Sequence, residues 1–450
     1  MRGAGLVVAA LAGVLLAAAS PAGAVQPPEV VIGAPPPDGP PGPETPMKQD
    51  KGCLTTGLLP HSDVSQPPPP ETALNLSRAR ALSRGDGVTV AVVDTGVAPD
   101  TRLPNLVGGG DYVQSGGNGL SDCDAHGTLV AGIIAAAADP DDKFLGVAPA
   151  ARILSIRYHS SAFSPEHPAQ FDSNEETSRE IRNLARAITH AANLGAGVIT
   201  VALPVCLGAD TGVDQSMLSA AIGYAVHVRG ALIVAGAGST GSPNCEQNPG
   251  ITPGNPRDLM DWTGVKTIST PGWFSPDVLT VGFTTAAGAQ MPGSLMGPWI
   301  SVAGPGTGIE SLGPGGSNLV NGIGAPGKLE AVGGASFAAA YVSGAAALLR
   351  SRFPAESPAQ ISARLEASAH QPARGVDDSV GAGMIDPVAA LSYSTAPKPP
   401  TQLYRTTALH VPVPRPVDHR PVIVATAVMI GVVVLGVGVV GVDGMLRRRR

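Results

Sequence analysis

Val88-Thr89-Val90-Ala91-Val92-Val93-Asp94-Thr95-Gly96 reads as a buried strand that stops at a carboxylate and a turn. Apolar and β-branched residues fill positions 88–93, and a glycine stands where the chain must reverse. Runs of the same character recur at 152–157, 198–203 and 231–235. Between them, at 177–194 and 215–228, apolar residues return every three or four positions, the period of a helix with one buried face. Strands alternating with helices predict an α/β fold, a doubly wound parallel sheet with helices on both faces. Ligands of such sheets gather beyond the carboxyl ends of the strands. Asp94 stands at one such end, and Ser239 follows another.

Outward from this domain, expected over 74–393, the composition changes in both directions. Residues 25–73 are rich in proline, with Pro35-Pro36-Pro37 and a second run at 67–70, which favours extended polyproline segments over a packed core. So short and polar a segment lacks the core of an autonomous inhibitory propeptide. It is read as an extension lying along the domain and pinned by Cys53. Ahead of it, Arg2, an apolar run at 6–19 and the small residues Pro21-Ala22-Gly23-Ala24 predict a secretory signal over 1–24. Behind the domain, 394–421 reads as a Pro-rich stalk, and 422–442 as a transmembrane helix of apolar and small residues. The tail 443–450 ends in Arg447-Arg448-Arg449-Arg450 and stays cytoplasmic under the positive-inside rule. The expected location is the cell membrane, crossed once, with the domain on the extracytoplasmic side.

A net charge of -6 leaves no basic surface on which to bind nucleic acid. Four cysteines, Cys53, Cys123, Cys206 and Cys245, favour disulfides in an exported chain, and no C-x-x-C pair is present to hold zinc. No metal and no cofactor are expected. The chemistry is carried by three blocks: Val92-Val93-Asp94-Thr95-Gly96, Asp124-Ala125-His126-Gly127-Thr128 and Gly334-Ala335-Ser336-Phe337-Ala338. His126 and Ser336 each open an apolar segment, at 128–138 and 337–350. An acid, an imidazole and a hydroxyl in this order predict a serine hydrolase, because the base must take and return a proton near neutrality. Of the nine histidines only His126 has this setting; His61, His159, His167, His190, His227, His370, His410 and His419 are read as structural or solvated. Asp124 is read as a helix cap or a solvated rim residue.

The order of the blocks and their flanking residues resemble the subtilisin-like serine proteases. The resemblance implies that Asp94 holds the imidazole, His126 is the base and Ser336 the nucleophile, with the Ser336 N–H and the dipole of its helix directed at the oxyanion. It also implies substrate-binding segments at Ala202-Leu203-Pro204 and Ala235-Gly236-Ala237, and a closing segment at Gly381-Ala382-Gly383-Met384-Ile385-Asp386-Pro387. Several supports depart from the family pattern. Ser239 stands where the family has the asparagine that donates to the oxyanion, Ala335 replaces its Thr, and Ala340 replaces its Pro. Pro204 has no N–H to offer a bound peptide.

A narrower resemblance is to the mycosins, the membrane-anchored subtilisin-like proteases of actinobacterial type VII secretion systems. It rests on Cys123-Asp124-Ala125-His126-Gly127-Thr128-Leu129-Val130-Ala131-Gly132, on Gly146-Val147-Ala148-Pro149-Ala150-Ala151-Arg152, on Phe337, the cysteines and the order of segments. It implies a serine endopeptidase acting on protein or peptide substrates and associated with the type VII secretion membrane complex. The altered supports favour an alternative, a weak or inactive homologue retained as a structural subunit of that complex. Of three possible disulfide connectivities, Cys206 with Cys245 is expected because both follow neighbouring strands joined by one helix, which leaves Cys53 for Cys123.

Overall fold

In the computed structural model the run 88–96 lies inside a seven-stranded sheet. Its strands are Thr89–Asp94 (β1), Leu106–Asp111 (β2), Arg152–Arg157 (β3), Val198–Val201 (β4), Leu232–Gly236 (β5), Val278–Thr284 (β6) and Ile300–Pro305 (β7). All pair in parallel, in the order β7-β6-β5-β4-β1-β3-β2. Val92 of β1 lies opposite Ser155 of β3 and Thr200 of β4. A parallel sheet is covered on both faces, which is why these strands are continuous apolar runs and do not alternate. The residues described are 25, 28–33, 38–167, 173–250, 262, 264–373 and 375–398, all belonging to one unit, Met1–Leu403. The expected signal 1–24, stalk residues 399–421, span 422–442 and tail 443–450 lie outside them. Among the described residues no helix is long and apolar enough to cross a membrane.

One face of the sheet carries His126–Ala135 (α1) and the other carries Ser173–Asn193 (α2) with Ser216–Gly223 (α3) packed on it. Ala335–Arg352 (α4) packs on α1 and crosses β1, β4, β5, β6 and β7. Helix α2 is amphipathic: Ile181, Leu184, Ala185, Ile188 and Ala192 are buried at helical spacing. Helix α4 is buried almost all round, and its runs Ala338-Ala339-Ala340 and Ala345-Ala346-Ala347 let it lie close to the strands.

The strand expected at 198–203 ends at Val201, because Pro204 cannot donate to a ladder. The chain turns, and Val205–Gly208 pairs antiparallel with Thr267–Thr270. The helix expected at 215–228 changes winding part-way: after Gly223 it continues as one π turn, Tyr224–Val228. Of the prolines at 67–70, Pro68 stays extended while Pro69 and Pro70 enter a helix. Pro69–Ala73 is a short helix with proline in its first turn, where the missing N–H would have had no partner.

Residues 29–33 and 38–57 run along the domain surface. Val31 N–H donates to Ser219 Oγ of α3, whose hydroxyl donates to the Glu29 carbonyl, each at 3.0 Å. Asp38 pairs with His190 and Glu44 with Arg182, both on α2, at 2.9 Å. Met47–Gln49 then pairs antiparallel with Phe163–Pro165, Cys53 is bonded to Cys123, and Thr55–Gly57 pairs with Gly322–Ala325.

Candidate active site

Asp94 is the last residue of β1 and has no solvent exposure. Its Oδ1 accepts the N–H of Thr95 at 2.8 Å and faces His126 Nδ1 at 2.7 Å; its Oδ2 is buried without a partner. Gly96 makes the exit from the strand possible, since its φ is +99° and a side chain would stand 2.1 Å from the Ser121 carbonyl oxygen. His126 opens α1 after Ala125, which takes the left-handed conformation at φ 62°. With Nδ1–H directed at Asp94, Nε2 keeps its lone pair and can act as a base. Burial works against protonation of the imidazole, but the charge and hydrogen bond of Asp94, with Asp122 and Asp124 behind it, hold its pKa above the usual histidine range.

Ser336 is the second residue of α4, so its N–H lies among the first-turn donors that have no partner within the helix. The preceding Gly334, at φ +122°, sets the entry. Phe337 packs its ring 5.2 Å from the His126 ring, which brings the first turns of α1 and α4 together. Ser239 lies just beyond β5, and its Oγ accepts the N–H of Ala335 at 3.4 Å, a long bond. Ser336 and Ser239 share a cavity of about 260 Å³ with Leu203, Pro204, Tyr158, His159, Glu180, Asn244 and the Cys206–Cys245 bridge. Tyr158, His159, Glu180 and Asn244 also line a second cavity of about 380 Å³, whose far side is formed by Pro43, Glu44, Thr45 and Met47.

Of the residues expected to bind substrate, Leu203 and Pro204 line the cavity with Ser336. Ala202, Ala235 and Ala237 are fully buried and Gly236 is buried with them, and none of the four lines the cavity. Asp124 is neither a cap nor solvated. It is buried and accepts from Ser160 Oγ at 2.5 Å, from Ser161 N–H at 2.8 Å and from the Ser161 hydroxyl, tying the loop after β3 to the segment before His126. His159 lines the cavity, and its Nδ1 lies 2.9 Å from Glu180 Oε1 on α2. Burial opposes both charges, yet each partner favours the other, so the His159 pKa is raised and that of Glu180 lowered. His190, His227 and His370 pair instead with Asp38, Asp277 and Asp386. The bridges are Cys53–Cys123 and Cys206–Cys245, and none of the cysteines is free. One further carboxylate, Asp122, lies directly behind Asp94 and His126 and carried no signal beyond its closeness to the histidine block.

Comparison with known proteins fits this arrangement. The subtilase family model matches residues 85–383. Mycosin-1 of Mycobacterium tuberculosis is 46% identical over 431 residues, covering 95% of this chain and 95% of that protein. The crystal structure of MycP1 from Mycobacterium smegmatis superposes with a TM-score of 0.79 at 43% identity, over 85% of this chain and 99% of that one. A chain in the structure of an intact ESX-5 inner membrane complex superposes with a TM-score of 0.79 at 44% identity, over 93% of this chain and all of that one (100%). The protein belongs to the subtilase family and, within it, to the mycosins, subtilisin-like serine proteases.

Proposed function

We propose that this serine endopeptidase works through Asp94, His126 and Ser336 on peptide segments lying across the cavity beside Leu203 and Pro204. In this reading Ser336 Oγ attacks the scissile carbonyl as His126 Nε2 takes its proton. Asp94 keeps the imidazole in the required tautomer and stabilises the imidazolium. The Ser336 N–H, at the positive end of α4, receives the oxyanion, with the Ser239 hydroxyl as the second donor. His126 then protonates the leaving amine, and water attacks the acyl-enzyme by the same route. The observation that carries this reading is the 2.7 Å Asp94–His126 contact, with the first turn of α4 packed against the same histidine.

We also propose that the chain is made with a signal over 1–24, is held in the cell membrane by one helix at 422–442, and works on the extracytoplasmic side as part of a type VII secretion membrane complex. Residues 25–73 serve as an extension, 74–393 as the catalytic domain, 394–421 as the stalk and 443–450 as the cytoplasmic tail. The similarity to a chain of an ESX-5 inner membrane complex supports the assembly, and the sequence pattern supports the anchor. The 3.4 Å contact of Ser239 favours a second reading, a subunit whose hydrolysis is too slow to matter. Labelling of the purified protein by a fluorophosphonate, with Ser336→Ala as control, separates the two. Label on the parent protein alone supports the enzyme; no label on either supports the structural subunit.

A further inference from the structure

Asp122 is 9% exposed, and its carboxylate receives four hydrogen bonds, from Thr95 at the exit of β1, from Asp124 in its own loop and from Thr128 in the first turn of α1. Oδ1 accepts from Thr95 Oγ1 at 2.9 Å and from the Asp124 N–H at 3.1 Å. Oδ2 accepts from the Thr128 N–H at 2.8 Å and from the Thr128 hydroxyl at 2.7 Å. Two further bonds extend the cluster: the Gly127 N–H donates to Thr95 Oγ1 at 2.9 Å, and the Ala98 N–H donates to Thr128 Oγ1 at 3.0 Å.

This arrangement does for α1 what its N-cap residue cannot. Ala125 has no side chain with which to cap, so the first-turn donors of Gly127 and Thr128 turn to Thr95 and Asp122. Thr95 directly follows Asp94 and holds it through its own N–H, while Thr128 lies two residues beyond His126. One carboxylate thus grips the chain on both sides of the Asp94–His126 contact. Resting on the triad proposed above, we propose that Asp122 is a positioning residue: through Thr95 and Thr128 it sets how His126 meets Asp94, and its charge supports the imidazolium formed when Ser336 attacks.

The charge has measurable consequences. Burial, partly offset by the bonds from Thr128 and Thr95 and added to by Asp94, pushes the Asp122 carboxyl up to about 6, and Asp122 in turn helps raise His126. The other charged groups acting on His126 or near it are Asp94 from β1, Asp124 from the Asp122 loop, and the His159–Glu180 pair contributed by the loop after β3 and by α2.

The test uses the full-length protein in detergent. Two quantities are followed from pH 4.5 to 8.5: the rate of fluorophosphonate labelling, and the titration of the His126 ring by NMR in the Ser336→Ala background, which needs no turnover. Asp122→Asn should slow labelling about tenfold and move both the acid limb and the His126 midpoint down by about half a pH unit, because a charge favouring the protonated ring is gone. Thr128→Val and Thr95→Val keep that charge, so each should slow labelling without the downward shift. An unchanged His126 midpoint in Asp122→Asn would reduce Asp122 to a helix cap and overturn the proposal. If Asp122→Asn does not fold, unaltered labelling in both threonine variants overturns it equally. Absence of label on the parent protein with a shifted His126 midpoint would retain the electrostatic role of Asp122 and sink the enzyme reading alone.

Discussion

Replacing Ser239 by asparagine tests the weakest part of the site. The Ser239 hydroxyl receives the Ala335 N–H at 3.4 Å, so it retains its own proton for a substrate oxygen but from a short side chain on a long bond. An asparagine amide would reach about one bond length further, roughly 1.3–1.5 Å, into a cavity of about 260 Å³ that it shares with Ser336. In a subtilisin, losing an oxyanion donor of this kind costs about 10² to 10³ in kcat. In the proposed mechanism the Ser336 N–H already serves as one donor, and Ala335 and Ala340 remain as smaller supports, so Ser239→Asn should recover only part of that. The expected rise in labelling rate or turnover is about 10- to 100-fold, equivalent to roughly 1.4–2.7 kcal/mol of transition-state stabilisation. The measurement is the second-order rate of fluorophosphonate labelling, repeated with Ser336→Ala. An unchanged or lower rate, in a protein that melts at the parent temperature, would refute the assignment of Ser239 to the oxyanion.

Three other outcomes are expected. Joint replacement of Cys206 and Cys245 by serine opens a link across 39 residues, for which chain entropy gives a loss of roughly 4 kcal/mol, read by denaturant titration. Glu366 is pushed up to about 7 by burial alone, so the folded state holds a proton that the unfolded state releases above its ordinary value, and stability falls as pH rises through that interval. Glu366→Gln should therefore raise the melting temperature at pH 8, by an amount equivalent to about 1–3 kcal/mol, and change nothing near pH 4; a gain at acid pH would contradict this origin. Deleting residues 26–60 should lower thermal stability, because Cys123 loses its partner, without an order-of-magnitude rise in activity; such a rise would mean the extension inhibits.

The parts of the fold that could be read from sequence are those whose cause is local. β1, β3 and β5 are runs of Val, Ile, Leu and Ala ended by polar or glycine residues, and α2 shows its buried stripe directly. β2 could not be read, since Leu106-Val107-Gly108-Gly109-Gly110-Asp111 contains a glycine triplet in place of an apolar run. β6 and β7 fall outside the strand–helix alternation, because no helix separates them. At the site, Asp94, His126 and Ser336 sit at element ends beside glycines, which makes a local signature. Asp122 and Asp124 could not be assigned in that way. Their roles depend on Thr95, Ser160 and Ser161, which are brought to them only by the packing of β1 and β3 around α1.

The outer course of residues 29–33 and 38–57 also governs how damage spreads. Pulled from its N-terminal side, this strip would come away one attachment at a time, first from α3, then from α2, then from the strand Phe163–Pro165, with each polar contact resisting by only about 1 kcal/mol net. At Cys53 the sequence of small steps stops, because the next link is covalent and is tied to Cys123, three positions before the histidine. A nick by another protease anywhere before that knot shortens the strip but leaves His126 where it was. Chemical reduction of the knot is a different kind of injury: it lets the peeling front run on to Leu54, whose N–H donates to the Cys123 carbonyl, and to the Thr55–Gly57 pairing beyond it.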